Sequence, residues 1–404
     1  MARNLDPAKL PQGWKYDLLD KFAKRCSGHT PSKSFPEYWN GGIKWISLTD
    51  SYRLDRGYVY ETDKEISQEG LNKSSAELHP AETVVLSRDA GIGKSGVMAV
   101  PMAVSQHFIA WKCDNKERLN SWFLYNWLQL NKLEFERQAV GSTIKTIGLP
   151  YFKKLKIAVP PYPEQKKIAQ ILSTWDKAIT TTEQLLTNSQ QQKKALMQKL
   201  LTGKKRLLDK NGVRFGGEWH RVELGSFLEY KQPTQYLVKS TAYSDTYETP
   251  VLTAGRTFIL GYTNEISGIY QEGLPAIIFD DFTTASKFVD FPFKAKSSAM
   301  KILTAKKGVS IKYIFEAMQM LSFTVGGHQR HWISIYSNLV VPVPEYVEQQ
   351  KIAAVLSSAD KEIDTLKNQL ETLKLEKKAL MQQLLTGKRR VSIDSIVKKE
   401  ATNA

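Results

Sequence analysis

The stretch EQKKIAQILSTWDKAI at residues 164–179 returns as EQQKIAAVLSSADKEI at residues 348–363, and KKALMQKLLTGKKR from Lys193 returns as KKALMQQLLTGKRR from Lys377. The offset is the same for both, 348 − 164 = 377 − 193 = 184, so each copy is one ungapped unit. A fixed-period repeat decides the architecture, and two copies are too few for a solenoid. Each copy carries a heptad pattern. In the first, Ile168, Leu172, Trp175, Ile179, Thr182, Leu186, Ser189, Lys193, Leu196 and Leu200 follow alternating steps of four and three. Ile352, Leu356, Ala359, Ile363, Leu366, Leu370, Leu373, Lys377, Leu380 and Leu384 occupy the same places in the second. This spacing keeps one seam on one side of a helix and predicts coiled-coil pairing. Thr182, Ser189 and Lys193 interrupt the first seam, so it would pair poorly with a copy of itself. The more apolar second seam can support it.

Both ends of each helix are marked. Pro160, Pro161 and Pro163 precede or open the first, and Pro342 and Pro344 precede the second, where proline is tolerated. Gly203 and Gly387 follow as stops, with lysine and arginine near the negative end of each helix dipole. A helix of about forty residues spans roughly 60 Å at about 1.5 Å per residue. Helices serving as ordinary domain core would need partners of similar length, which neither half of the chain offers. The expected fold is α+β: two globular domains separated by two long helices that form an intramolecular antiparallel coiled coil, with an approximate twofold axis.

A chain of 404 residues is expected to divide into two or three domains. Its 42% apolar content is ordinary for a soluble protein, and no apolar run approaches a membrane span. The opening residues MARNLDPAKLPQGW lack the apolar core of a signal peptide, which predicts a cytoplasmic protein. Cys26 and Cys113 show no metal-cluster spacing, and a disulfide is unexpected in that compartment. Lysine and arginine outnumber the acids by 57 − 41 = 16, for a pI near 9.5. That surplus favours a polyanionic partner, most simply nucleic acid. General solubility charge is the plain alternative, and charge alone does not separate DNA from RNA or a membrane surface.

The repeats divide the chain into a first variable region (1–155), the first repeat helix (156–206), a second variable region (207–340), the second repeat helix (341–390) and a polar tail (391–404). The variable regions are strand-rich. GGIKWISLTD, ETVVLSRD and FKKLKIAVPP in the first, and ETPVLTAG, PAIIFDDF, KILTA and NLVVPVP in the second, are short β-branched or aromatic runs between turn residues. Helical segments are expected at Arg118 to Leu130 and Ser310 to Leu321.

Several motifs invite catalytic readings that do not hold. SRDAGIGKSG (87–96) ends like a phosphate-binding loop, but the position five before Gly93 is Arg88 instead of the required glycine. A basic glycine-rich loop of this kind can approach a DNA backbone, with Arg88 and Lys94 in contact, or can be purely structural. VPPYPE (159–164) resembles the Asp/Asn-Pro-Pro-Tyr motif of amino-methyltransferases, yet Val159 cannot accept a hydrogen bond from a target amine. The matching VPVPE before the second helix favours a helix-entry role. FDDFTTASKF (279–288) offers Asp280, Asp281 and Lys287, without a third acidic ligand for nuclease chemistry. GGHQRHWIS (326–334) concentrates His328, Gln329, Arg330, His331 and Trp332; Arg to guanine and Gln to adenine are bidentate base contacts. The two histidines have no cysteine or carboxylate companion for zinc.

Taken together, PEQKKIAQILSTWDKAI, KKALMQKLLTGK and their copies after residue 344 resemble the specificity subunits of type I restriction–modification enzymes. GHTPSKSFPEYWNGGIKWISLTD, LSRDAGIGKSGV and GSTIKTIGLPYFKKLKIAVPP resemble a first target-recognition domain of that family, and FDDFTTASKFVDFPFKAKSSAMKIL with HQRHWIS resembles another subtype. The resemblance covers nearly the whole chain. It implies two DNA-reading domains held by the coiled coil, in a subunit that is not itself an enzyme. Two methyltransferase subunits and two translocating endonuclease subunits would assemble on it, with S-adenosylmethionine, ATP and magnesium handled by those partners and none by this chain. The target is double-stranded DNA, with no metal site and no membrane surface implied. Candidate DNA contacts are Lys33, Lys44, Arg88, Lys94, Ser142 and Lys145 in the first region, and Lys231, Gln232, Arg256, Lys287, His328, Gln329 and Arg330 in the second. The competing readings are a stand-alone DNA methyltransferase or nuclease, and a coiled-coil scaffold whose basic surface is incidental.

Overall fold

The structure, a computed structural model, describes residues 10–115, 117–141, 145–253, 257–321 and 331–392. The chain forms two compact units, Met1–Thr182 with Gln369–Ala404, and Glu183–Asn368. Each unit therefore holds part of both long helices, Tyr162–Leu200 and Tyr346–Leu384.

In the first unit a five-stranded sheet runs in the order Lys24–Ser27, Phe108–Lys112, Val84–Ser87, Ser95–Met98, Tyr58–Val59. A three-stranded sheet, Glu65–Ile66, Trp39–Ile46, Ala103–Val104, accompanies it. Continuous apolar runs such as FIAWK are buried along almost their whole length, as expected of strands covered on both faces. The helix Ser121–Leu130 starts where Asn120 caps it, its side chain accepting from Phe123 N at 3.0 Å. Lys15–Leu18 pairs antiparallel with Lys156–Val159, so the domain closes on the strand that leads into the first long helix.

The second unit repeats this plan with different sequences. Its four-stranded sheet runs Leu228–Lys231, Met300–Ala305, Ala276–Asp280, Ser286–Val289, beside a three-stranded sheet of Ile259–Thr263, Thr249–Leu252 and Lys294–Ala295. Ser310 caps the helix Ile311–Gln319. His220–Glu223 pairs with Val340–Val343 and leads into the second long helix. The 184-residue offset carries the bounds of the closing strand and of the helix across without slippage.

The seams are buried or half-buried at every predicted position, while most intervening positions are exposed. The helix ends also enter the domain cores. Ile168, Leu172, Met381 and Leu384 join the first unit's main cluster, and Leu200, Ile352 and Leu356 join the second's. The long helices thus pair along their seam and also contribute their ends to the domain cores.

Within each unit the helices run antiparallel, and charges set the register. In the first, Asp176 pairs with Lys377, and Glu164 takes Arg390 at 2.7 Å. In the second, Asp360 pairs with Lys193 at 2.5 Å and Glu348 takes Arg206 at 2.6 Å. These four pairs are the same two contacts at the repeat offset. The lysines that interrupt the heptads are thus neutralised in place, and Ser189 donates to Glu362 at 2.8 Å. Gly203 and Gly387 adopt φ of +72° and +74°, the left-handed conformation that ends each helix.

Replacing Arg206 with Met leaves Glu348, which is 0% exposed, without its counter-charge. Breaking a buried pair from one side costs about 3 kcal/mol, so calorimetry of R206M should show a lower melting temperature, largely restored in R206M/E348Q. An unchanged melting temperature would remove the clamp from the stability account. Burial raises the Asp360 carboxyl, but Lys193 and then Lys312 outweigh it and hold it below its ordinary value of 3.8. Its stabilising contribution is therefore present above that value and lost as pH falls through the lower folded value. Acid titration should show D360N losing less stability than wild type across that interval; parallel curves would contradict this.

Candidate nucleic-acid interface

Loops from distant parts of the first region are tied together by hydrogen bonds. His29 N donates to Val104 O at 3.0 Å, and Thr30 Oγ1 bonds to Gln106. The neighbouring His107 bonds through Nδ1 to Asp89, whose other oxygen accepts from Thr146 Oγ1. Ile147 N donates to Arg88 O at 2.9 Å, and Arg88 N donates to His107 O at 3.0 Å. The segments GHTPSKS, SRDAGIGKSG and GSTIKTIGLP are thereby joined around Asp89. Sequence reading found these three loops but missed the hub of Gln106, His107 and Asp89. The only signal was the polar break SQHF between two apolar runs.

The segment Ser87–Lys94 is a strand-to-strand hairpin between Val84–Ser87 and Ser95–Met98, with Gly91 and Gly93 at φ of +75° and +79°. A phosphate-binding loop would open a helix, so the fold agrees with the failed motif. Arg88 is half-buried, its Nε 3.7 Å from Asp89 Oδ1. Lys94 donates to the Ser51 carbonyl at 3.1 Å, which ties its ammonium to the protein. Lys44 is half-buried and ion-paired to Glu61. Lys33 and Lys145 are exposed. Ser142 lies outside the described residues.

In the second region, Lys231 and Gln232 are exposed at the end of the strand Leu228–Lys231. A cavity of about 290 Å³ beside Lys231 is lined by Gln235, Tyr236 and the loop from Gly268 to Gly273. Lys287 is exposed on the edge strand Ser286–Val289. Arg256, His328, Gln329 and Arg330 lie outside the described residues. His331 and Trp332 are buried, and their backbone amides donate to Asp281, at its carbonyl and carboxylate respectively.

The paired carboxylates are consumed by the fold. Asp280 caps its own turn, accepting from Phe282 N at 3.0 Å and Thr283 Oγ1 at 2.8 Å. Asp281 is 1% exposed and faces Lys301 at 3.4 Å. Neither is presented to a substrate. What the loops do present is lysine ammonium groups and amides, the chemistry that meets phosphates and base edges.

Sequence reading also missed the paired glutamines beside the clamps. Gln165 accepts from Asn120 N at 2.7 Å and donates to the carbonyls of Arg118 and Pro160. Gln349 accepts from Ser310 N at 2.9 Å and donates to the carbonyl of Pro344. Each glutamine thus seats the capped helix of its domain on the start of a long helix. The repeated EQ pair was the available signal.

The chain matches the family model described as the type I restriction modification DNA specificity domain over residues 11–188 and 216–375. The EcoR124I/EcoR124II specificity subunit of Escherichia coli is 51% identical over 165 residues, which cover 40% of this chain and 39% of that protein. The match thus spans about two-fifths of that relative. The MjaVIII specificity subunit of Methanocaldococcus jannaschii is 24% identical over 95% of this chain and 94% of its own length. The fold is shared with the crystal structure of a type I S subunit from M. genitalium, at TM-score 0.62 and 15% identity over 95% of this chain and 98% of that one. A chain from a structural study of complex assembly and conformational transition in a type I system follows at TM-score 0.53 and 13% identity, covering 94% and 99% of the two chains. The matching model describes a DNA specificity domain, and the relatives that match are specificity subunits. With two matched segments that together cover most of its length, the chain belongs to the type I restriction–modification DNA specificity family.

Proposed function

We propose that this chain is the sequence-reading subunit of a type I restriction–modification complex and acts on double-stranded DNA in the cytoplasm. Residues 1–155 read one half of a bipartite site and residues 207–340 read the other. The repeat helices, 156–206 and 341–390, hold the two readers apart and set the unread gap, as half-site spacing does in dimeric readers. Because the two regions differ in sequence, the half-sites differ and the target is asymmetric.

The observation that carries this reading is the repeated set of helix contacts. Glu164–Arg390 and Glu348–Arg206, with Asp176–Lys377 and Asp360–Lys193, give each unit the same helix-pair surface. Two equivalent surfaces suit two copies of one partner, while dissimilar loops suit dissimilar bases. The partners on this reading are two methyltransferase subunits, which flip and methylate an adenine in each half-site, and two restriction subunits. S-adenosylmethionine, ATP and magnesium are theirs. Among the described residues, no helix is long and apolar enough to cross a membrane.

Adding one helical turn at matched points in both long helices should lengthen the gap and leave both half-sites unchanged, as read by mapping methylated adenines in cells carrying the full system. An unchanged gap would refute the spacer role. Changing exposed Lys33 or Lys145 to Ala should weaken binding to all sequences and reduce the salt slope by about one for each phosphate no longer neutralised. Altered site choice with an unchanged slope would instead place that lysine on a base.

A further inference from the structure

We propose that Cys26, Glu77 and His79 bind one divalent d-block cation of the zinc class. This inference is independent of how the chain reads DNA. The Cys26 sulfur, a Glu77 carboxylate oxygen and a His79 ring nitrogen all lie within 4.8 Å of one another. Zinc bonds of about 2.0–2.3 Å set ligand atoms roughly 3.5 Å apart, so a small closure completes the set. The spacing in sequence, 26 against 77 and 79, hides the group; the fold assembles it.

His79 supplies the second line of argument. It is 0% exposed, and neither Nδ1 nor Nε2 has a hydrogen-bond partner among the described residues. A buried imidazole with both nitrogens unsatisfied carries a desolvation penalty that nothing in the protein offsets. Its backbone is fixed by reciprocal bonds with Met102, at 2.8 and 3.0 Å, so the ring is held in position. Cys26 is equally anchored, in the strand Lys24–Ser27 opposite Ala110, and its sulfur makes a long 3.9 Å contact to the Lys24 carbonyl. Glu77 is the exposed member and gives the cation a way in.

The charges of the ligand atoms match that of the ion. Glu77 now pairs with Lys112 at 3.2 Å. A thiolate and a carboxylate together neutralise a divalent ion, and imidazole binds metal in its neutral form. The Cys26 thiol releases its proton to solvent as the metal–sulfur bond forms. Three protein ligands leave one tetrahedral position for water.

The test is a cobalt(II) titration of the reduced, metal-stripped full-length chain. A single cobalt should bind with a thiolate-to-metal charge-transfer band that zinc then abolishes. Cys113→Ser should retain the band and Cys26→Ser should lose it. His79→Gln and the surface change Glu77→Gln should each weaken cobalt binding at least about tenfold, in line with the loss of a metal-site group. A wild-type chain without the band overturns the proposal even if the buried variants misfold. So does a band that survives in C26S, or an affinity unchanged in E77Q.

Discussion

A carboxylate that is wholly withdrawn from water must have a partner, and two such carboxylates, Glu164 and Glu348, stand one at the start of each long helix. Each is met by a guanidinium from just beyond the end of the other helix, with two N–H groups donating to its two oxygens. Leucine on leucine tolerates sliding by a heptad; a buried carboxylate under a bidentate arginine does not. A slipped register would strand both glutamates, so the clamps select one alignment from the several that the apolar seam allows. The aspartate–lysine rungs further along the seam repeat the same constraint.

The two units use this frame differently. In the second, Lys193 also meets Glu316 at 3.1 Å, and Lys312 bridges Glu316 and Asp360 at 2.8 and 3.1 Å. Counting from the caps Asn120 and Ser310, the first unit has Trp122 and Asn126 where the second has Lys312 and Glu316. There the Asn126 amide turns back to the Trp122 carbonyl at 2.8 Å. The rung on the repeat is shared, whereas the domain helix behind it is free to be charged or apolar. Variation begins one residue layer away from the repeat.

Much of the fold was legible in the sequence because its signals are periodic or local. The heptads of Ile168 to Leu200, the glycine stops and strands such as AIIFD each state their structure within a few residues. The lysines at 193 and 377 were legible only as interruptions, since their partners lie on the other helix and have no local signature. The interface was less readable for the same reason. Lys94 and Lys44 are typical cations in sequence, yet one is spent on a backbone carbonyl and the other on Glu61. Asp280 and Asp281 suggested chemistry and proved to be a turn and a buried ion pair. Cys26, Glu77 and His79 could not be grouped at all before the fold brought the strand Lys24–Ser27 near the loop that carries Glu77 and His79.

The glutamine beside each clamp has a consequence for how such a chain can change over time. Gln165 and Gln349 grip their domains entirely through main-chain atoms, the amides of Asn120 and Ser310 and carbonyls that any residue would supply. A hydrogen bond to backbone is indifferent to the side chain carried by the residue it holds. The apolar helix ends still ask for a matching core, since Ile168 and Leu172 pack into the first domain and Ile352 and Leu356 into the second. The side chains around these bonds can therefore vary while the bonds themselves stay the same. That makes the module interchangeable at the level of hydrogen bonds.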